Sequence, residues 1–309
     1  MQNNLIPDFV TIAIPAYKST YLKESMESAL NQTYPYMELI IVDDCSPSPI
    51  KEVVELFSDK RITYIRNDKN LGSESIVLNW NKCLEYARGE YFVLLCDDDI
   101  LAPSFLEEML ELSNKYPKCN VFHARKQNLR EDGSIEMQTV WPEFETGVEF
   151  LRNRLAKRRH HTISEFLYRT SAIKKQPYVV FPSGFYSDNA SLIQLSQDGG
   201  MANSQEPLVT FRFSSDHITT NTSPKNCWGK YQAAVQYWFW IQRFSESKQY
   251  KKEIQEEVEC TIIGSFNKAP WNMKLRILLN TPSVILSLKA KLANLVCAFI
   301  KQFKYESLK

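Results

Sequence analysis

Three consecutive aspartates, Asp97, Asp98 and Asp99, follow the apolar run 91–95 after a single cysteine, and this run predicts a buried strand. Carboxylates packed this closely repel one another unless a cation neutralises them or some take up protons. Mg²⁺ and Mn²⁺ prefer oxygen ligands, and Mg²⁺ is usually held by one or two carboxylates together with substrate phosphates. The cluster therefore indicates a divalent metal and a nucleotide diphosphate. A solvated acidic loop is the alternative that these residues leave open.

Two further apolar runs upstream, 10–14 and 38–42, also predict strands. Apolar residues at three- and four-residue intervals over 21–31 and 74–87 predict covering helices between them. This alternation is typical of a parallel sheet with crossover helices, to which 61–65 adds a weaker edge strand. Ligands of such sheets bind beyond the carboxyl ends of the strands. We therefore expect Asp43 and Asp44, which follow the second run, to approach the acidic cluster.

Composition limits the function classes. The chain has 309 residues, is 44% hydrophobic and carries a net charge of +1, so it is globular and has no overall field that favours nucleic acid. Its nine glycines form neither Gly-x-Gly-x-x-Gly nor a phosphate loop, which argues against dinucleotide dehydrogenases and P-loop kinases. Seven cysteines without a Cys-x-x-Cys pair favour reduced thiols in the cytoplasm. We expect no secretory signal and no membrane-spanning helix.

Five segments resemble glycosyltransferase family 2 in their order and spacing, and the match extends over residues 9–105. The segments are 12–17, 28–34, 38–46, 70–72 and 96–99. The resemblance implies an α/β protein of the GT-A fold, with a Rossmann-like, mostly parallel central sheet flanked by helices. It also implies inverting transfer from a nucleotide-sugar donor and dependence on Mn²⁺ or Mg²⁺.

The resemblance assigns donor contacts residue by residue. Nucleoside contacts fall to Pro15, Ala16, Tyr17, Asn70 and Gly72. Asp44 or its neighbour Asp43 matches the carboxylate that reads the base, and a carboxylate can accept the N3 hydrogen of uracil. Arg212 is expected at the diphosphate. Packing at a strand end for Tyr17, and an ordinary turn at 70–72, are the alternatives.

The same resemblance distributes the metal site. Asp98 looks like the principal metal ligand, Asp97 like a ribose or second metal contact, and Asp99 like a supporting carboxylate. His217 is expected to approach metal or phosphate. Many family members have aspartate where this chain has Cys96. This difference leaves open which role belongs to Asp97 and which to Asp99.

The second half is expected to hold the acceptor and the base. Asp188 resembles the second member of an acidic pair that opens a helix, while Ser187 replaces the first. We interpret Asp188 as the base that removes the proton of the acceptor hydroxyl. A helix N-cap or first-turn acid is the alternative, and both roles are compatible. His160 and His161 are interpreted as part of a basic surface loop, with lining of the acceptor cleft as the alternative.

We expect a GT-A domain over residues 1–221, divided into a nucleotide-sugar half at 9–105 and an acceptor half at 106–221. A helical region follows at 222–309. Its aromatic helix at 228–244 is interpreted as core. Seven lysines and one arginine oppose one glutamate from residue 268 onward, beside an apolar helical face. That face either contacts anionic lipid or docks on the protein. Its residues are Ile285, Leu288, Leu292, Leu295, Val296, Phe299 and Phe303.

The expected function is transfer of a sugar from a UDP-sugar to a glycan or lipid-linked glycan in surface polysaccharide biosynthesis. The protein would be cytoplasmic, or peripheral at the inner face of the plasma membrane. Two alternatives stay open. A non-catalytic subunit of a glycan-assembly complex is suggested by the departures at Cys96 and Ser187. A metal-dependent nucleotidyltransferase would also place carboxylates at strand ends, although the usual basic glycine-rich N-terminal loop is missing.

Overall fold

The structure is a computed structural model that describes residues 5–156, 160–213 and 222–286, together with Ala290 and Asn294. The described residues group into two compact units. The first unit contains 5–180 and 187–213, and the second contains 181–186 and the described residues from 222 onward.

The first unit is built on a sheet to which ten strands among the described residues contribute. The strands are β1 (Ile6–Ala16), β2 (Met37–Asp43), β3 (Ile62–Arg66), β4 (Gly89–Leu94), β5 (Ile100–Leu101), β6 (Val121–Leu129), β7 (Ile135–Met137), β8 (Phe144–Glu145), β9 (Phe166–Arg169) and β10 (Met201–Arg212). Their spatial order is β3-β2-β1-β4-β9-β6-β10-β5, with β7 paired to β6 and β8 paired to β10.

The strands β3, β2, β1 and β4 are parallel to one another. They carry the apolar runs from which strands were predicted, and every residue of β2 is buried, as expected for a sheet covered on both faces. The helices that connect these strands are α1 (Leu22–Leu30), α2 (Ile50–Val54) and α3 (Ile76–Tyr86). The expectation of an α/β fold with crossover helices is confirmed.

The other half of the sheet is mixed, because β9 runs antiparallel to both β4 and β6 while β6 and β10 are parallel. Its helices are α4 (Phe105–Lys115), α5 (Gly147–Leu155), α6 (Thr170–Lys175) and α7 (Ser187–Leu195). A 3₁₀ turn, Ile163–Glu165, directly precedes β9. A capping box stabilises this turn. The Thr162 side chain accepts a hydrogen bond from the Glu165 N–H, and the Glu165 carboxylate accepts one from the Thr162 N–H.

The second unit is helical. It contains α8 (Pro224–Ile241), α9 (Lys251–Lys268) and α10 (Trp271–Asn280), with a 3₁₀ segment at Ser245–Tyr250. Four aromatic residues of α8 form core, as predicted, since Tyr231, Tyr237, Trp238 and Trp240 are all buried, whereas Phe239 is 53% exposed. Tyr237 stacks on Tyr186 of the segment 181–186, with ring centroids 4.4 Å apart.

Several predictions concern residues outside the described ranges. They are the metal contact of His217 and the apolar helical face at Leu288, Leu292, Leu295, Val296, Phe299 and Phe303. Ile285, at the start of that face, is described and fully buried. No helix within the described ranges combines the length and the apolar character needed to cross a membrane. The six cysteines that are described all carry free thiols.

Candidate active site

The register of the parallel strands brings the sequence-predicted donor residues to one edge of the sheet. Ala16 pairs with Asp43 at the ends of β1 and β2, and Ala13 of β1 pairs with Leu94 near the end of β4. Tyr17, Asp44 and the acidic cluster therefore leave the sheet at the same edge. Tyr17 presents a side chain that is 41% exposed, so this strand end is open rather than packed.

Asp97 holds the loop that follows β1. Its Oδ2 accepts hydrogen bonds from the backbone N–H groups of Tyr17, at 2.8 Å, and of Lys18, at 2.7 Å. Burial raises the pKa of Asp97 to about 6, and the two amides and Lys18 oppose that rise. The carboxylate thus fixes the segment expected at the nucleoside.

Asp43 is fully buried and is bonded on both oxygens. Its Oδ1 accepts from the N–H of Ser46 at 2.8 Å, and its Oδ2 accepts from the Tyr64 hydroxyl at 2.7 Å. The guanidinium of Arg66 forms an ion pair with Oδ2. Asp43 therefore joins β2 to β3 and to the following turn.

Asp44 organises the segment 67–72. Its Oδ1 accepts from Leu71 N–H and from Asn67 Nδ2, each at 2.9 Å, and its Oδ2 accepts from Gly72 N–H at 2.7 Å. A Cβ at Gly72 would lie 2.9 Å from this Oδ2, so glycine permits the close approach. Asn70 closes the turn by accepting from Ser73 N–H at 2.8 Å.

The remaining members of the acidic cluster lie beside a thiol. Potential ligand atoms of Cys96, Asp98 and Asp99 all lie within 4.8 Å of one another. Asp99 is fully buried, and its Oδ2 accepts from Ser164 Oγ at 2.6 Å. Burial, with the charge of Asp98 second, raises the pKa of Asp99 to about 8.

This donor set fits a divalent cation. Two carboxylates offer the oxygen ligands that Mg²⁺ and Mn²⁺ prefer, and a cation would offset the burial that disfavours ionised Asp99. The thiol of Cys96 was not among the residues assigned to the metal from the sequence. Cys96 immediately precedes the three aspartates in the sequence, and this position is the signal that could have indicated its place at the site.

Arg212, at the end of β10, lies against the same cluster. Its backbone N–H donates to Asp99 Oδ1 at 3.3 Å, and its Nε donates to the Asp98 carbonyl oxygen at 3.3 Å. The guanidinium also pairs with Glu24 at 2.5 Å and lies 4.0 Å from the ring centroid of Tyr21. Arg212 therefore contacts the acidic loop, and its guanidinium also forms an ion pair with Glu24 of α1.

Asp188 is the second residue of α7, in the same unit as the acidic cluster. Its Oδ2 lies 3.4 Å from Nε2 of His161. The imidazole is almost completely buried, with 1% of the side chain exposed, whereas the Asp188 side chain is 27% exposed. The interpretation of His161 as a surface-loop residue is therefore wrong, although His160 is exposed. Aromatic neighbours distant in sequence bury the ring.

A buried polar cluster lies next to His161 and was not found from the sequence. Glu165 accepts from His123 Nε2 at 2.9 Å and pairs with Lys126 Nζ at 3.1 Å. His123 stacks on Trp141, with centroids 3.8 Å apart. The Thr-x-x-Glu spacing at 162–165 is the sequence signal that could have placed Glu165. The histidine and lysine carry no such local signal.

Comparisons with known proteins agree with this architecture. The model of glycosyl transferase family 2 matches residues 11–176. A putative teichuronic acid biosynthesis glycosyltransferase of Bacillus subtilis, TuaG, is 33% identical over 105 residues, which are 33% of this chain and 40% of TuaG. A putative colanic acid biosynthesis glycosyl transferase of Escherichia coli, WcaA, is 36% identical over 132 residues, 42% of this chain and 40% of WcaA. The chain spans about two fifths of the length of these relatives.

Among solved structures, residues 1–349 of Staphylococcus aureus TarS in complex with UDP-GlcNAc superpose with a TM-score of 0.63 at 14% identity. The superposition covers 94% of this chain and 89% of the TarS chain. At this identity the likeness concerns the fold alone, and it defines a protein of the GT-A class. The family match covers more than half of the chain, which therefore belongs to glycosyltransferase family 2.

Proposed function

We propose that the protein is an inverting glycosyltransferase that moves a sugar from a UDP-sugar to a glycan or lipid-linked glycan in surface polysaccharide biosynthesis. The observation that carries the proposal is the convergence of Asp97, Asp98 and Asp99 with Tyr17 and the loops held by Asp43 and Asp44 at one sheet edge. The names of TuaG and WcaA, which refer to teichuronic and colanic acid biosynthesis, and the UDP-GlcNAc bound by TarS support this choice of substrates.

The donor is a uridine nucleotide in this proposal. An ionised carboxylate offers about four lone-pair positions. Asp43 and Asp44 each use three of them on the protein hydrogen bonds and ion pair described above. Each carboxylate then keeps one lone pair that these bonds do not use, and the proposal assigns one of the two to the N3 hydrogen of uracil. Pro15, Ala16, Tyr17, Asn70 and Gly72 would contact the rest of the nucleoside.

Asp98 and Asp99 would hold Mn²⁺ or Mg²⁺, with Cys96 beside them and His217 as a further candidate. The cation, when bound, supplies positive charge that stabilises the departing diphosphate. Arg212 adds a second positive group at the same loop. Asp97 would keep the loop after β1 in place and contact the ribose.

Asp188 would act as the base. It removes the proton of the acceptor hydroxyl while that oxygen forms its bond to the anomeric carbon. On the opposite face, the bond from this carbon to the diphosphate oxygen breaks, and UDP leaves with the electron pair. The position of Asp188 in the first turn of α7 favours its ionised form through the helix dipole.

The acceptor side of the proposal includes peripheral contact with the inner face of the plasma membrane. Three exposed apolar side chains, Trp271, Leu275 and Leu279, follow one another at four-residue intervals along α10. The sequence from 268 onward carries seven lysines and one arginine against one glutamate. An apolar stripe within a basic segment is suited to anionic lipid.

Calorimetry with UDP, GDP and dTDP, with and without Mn²⁺, tests the donor site. We expect UDP to bind best, to require Mn²⁺, and to lose at least tenfold in affinity in Asp98→Asn. Asp198→Asn, at an exposed carboxylate in the turn that precedes β10, is the matched control and should bind as the wild type does. Absence of nucleotide binding under every condition would reject the donor assignment.

Turnover separates the enzyme from a non-catalytic subunit of the same fold. UDP release from UDP-sugars in the presence of Mn²⁺ should be detectable in the wild type. Asp188→Asn should keep UDP affinity and lose most of this release, because it retains the shape but not the basicity of the carboxylate. Formation of pyrophosphate from UTP and a sugar phosphate would instead indicate a nucleotidyltransferase.

A further inference from the structure

We propose that His161 is a positioning residue, which orients the Asp188 carboxylate so that one lone pair of Oδ2 faces the acceptor hydroxyl. The inference rests on the proposed function of Asp188 as the base. It concerns a residue outside the family segments, and it follows from the 3.4 Å contact between His161 Nε2 and Asp188 Oδ2.

The surroundings of His161 fix its ring. Phe150, Phe166 and Trp141 enclose the imidazole, with ring centroids 5.7, 5.6 and 6.5 Å away. Both ring nitrogens are buried and make no hydrogen bond of standard geometry within the described residues. Nε2 is the nitrogen that lies 3.4 Å from Asp188 Oδ2. Because a buried polar nitrogen without a partner is costly, Nε2 gains from donating a hydrogen to this carboxylate.

The other oxygen of Asp188 is already occupied. Its Oδ1 accepts from the Asn189 N–H at 2.8 Å, and Asn189 Nδ2 lies 3.4 Å from the same oxygen. Arg154 Nε donates to Asn189 Oδ1 at 2.7 Å, which fixes the amide. With both lone pairs of Oδ1 engaged and one of Oδ2 directed at His161, a single lone pair of Oδ2 is left to receive a proton.

The N···O separation of 3.4 Å is that of an ion pair and does not meet standard hydrogen-bond geometry in this structure. Catalytic hydrogen bonds in ligand-free structures are often long and shorten in the substrate complex. Because the ring is held on three sides and the carboxylate by the first turn of α7, acceptor binding can shorten this contact with small movements. The charge that develops on the acceptor oxygen is then met by a carboxylate of fixed orientation.

Electrostatics agree with the geometry. Burial would raise the pKa of Asp188, but the hydrogen bond and charge of His161, with smaller help from Asn189 N–H and Arg154, outweigh it and lower the pKa. The other ionisable groups around the pair are Tyr168, whose pKa the charge of Asp188 helps to raise, and Glu165, which the charge of His161 also reaches, together with the Glu165 partners His123 and Lys126. Without His161, burial would dominate and the base would take up a proton more readily.

Carbon-13 NMR of protein labelled at aspartate Cγ tests this without a substrate. The Asp188 resonance is identified by its loss in Asp188→Asn, and its titration is followed in two His161 variants. His161→Phe fills the aromatic pocket but removes the donor, and His161→Gln retains an N–H donor. His160→Phe changes the exposed neighbour and is the matched control.

We expect the Asp188 titration to move to higher pH in His161→Phe, to return towards the wild-type midpoint in His161→Gln, and to stay unchanged in His160→Phe. An unchanged midpoint in His161→Phe, in protein whose thermal unfolding remains cooperative, overturns the proposal. If His161→Phe does not fold, a wild-type-like midpoint in His161→Ala overturns it equally.

Activity then separates this inference from the proposed function. With UDP-GlcNAc and water as the probe reaction, the acidic limb of the pH profile of UDP release should move to higher pH in His161→Phe, with the affinity for UDP unchanged. Full release by Asp188→Asn would reject the base assignment, and the NMR midpoints would still decide whether His161 controls the carboxylate.

Discussion

The aspartates at the sheet edge hold backbone as well as charge. Asp44 accepts hydrogen bonds from the N–H groups of Leu71 and Gly72, and Asp97 accepts from those of Tyr17 and Lys18. Residues that the sequence marks as ligand contacts therefore also shape the loops in which a ligand would lie. Both roles use lone pairs of the same carboxylates, and substitutions must be designed to separate them.

Asp44→Asn should destabilise the protein by about 1–3 kcal/mol, because the amide replaces one acceptor oxygen with a donor that faces partly buried N–H groups. Urea denaturation measures this loss. Asp68→Asn, at an exposed position of the same segment, should leave the free energy of unfolding within about 0.5 kcal/mol of the wild type. Equal stability of the two variants would contradict the structural role of Asp44.

Gly72→Ala examines the same loop without altering a polar group. The added Cβ would lie 2.9 Å from Asp44 Oδ2, so the carboxylate or the loop must shift. We expect UDP affinity to fall about tenfold, on the order of 1.4 kcal/mol, while Mn²⁺ dependence persists. Calorimetry measures this affinity. A UDP affinity equal to that of the wild type would show that the nucleoside does not contact this loop.

At the scale of elements, the segment Asn31-Gln32-Thr33 joins the end of α1 to the start of α4. Gln32 is 7% exposed, its Nε2 donates to the Ala102 carbonyl oxygen at 2.8 Å, and its Oε1 accepts from Leu106 N–H at 3.0 Å. Thr33 N–H donates to the Pro103 carbonyl oxygen at 2.9 Å. A stretch that resembles the family in sequence thus has a positioning role in this fold.

Gln32→Leu should cost about 1–3 kcal/mol, because it leaves the N–H of buried Leu106 unpaired, whereas the Ala102 carbonyl oxygen still accepts from Phe105 N–H at 3.0 Å. The denaturation midpoint measures the effect. Asn31→Leu alters the exposed neighbour and should change stability far less. A small effect of Gln32→Leu would mean that water or backbone movement replaces these bonds.

Elements were predictable where their signal is local. The runs at 10–14, 38–42 and 91–95 became β1, β2 and β4, since apolar runs and flanking polar residues lie within a few positions. The burial of His161 was not predictable in this way, because Trp141, Phe150 and Asp188 are brought to it only by the folded chain. The site assignments themselves remain predictions.

At the scale of the whole molecule, the second unit contains the segment 181–186 as well as the later helices. Close packing inside this unit explains why residue 229 is glycine, since a Cβ at Gly229 would lie 1.9 Å from Ser183 Oγ. No pattern in the sequence indicates that 181–186 belongs with residues some forty positions later, because neither hydrophobic periodicity nor composition records which elements pack together.

The proposed membrane contact is tested on the full chain by flotation with vesicles. We expect the wild type to float with vesicles that contain phosphatidylglycerol, less with phosphatidylcholine alone, and less again at high salt. Leu275→Glu and Leu279→Glu should each reduce flotation severalfold, because they place charge in the apolar stripe of α10. Leu56→Glu, at a leucine that is 68% exposed in the first unit, is the control. Equal flotation of all variants would contradict this contact.

The hydrogen bonds that loop amides donate to Asp43, Asp44 and Asp97 have a consequence for exchange with deuterated water. The amides of Tyr17, Lys18, Ser46, Leu71 and Gly72 lie in surface connections yet donate to carboxylates that are wholly or partly buried. Their deuterium uptake should be slow, as in a strand. An incoming nucleotide would then meet a preorganised surface and lose little conformational entropy in ordering these loops.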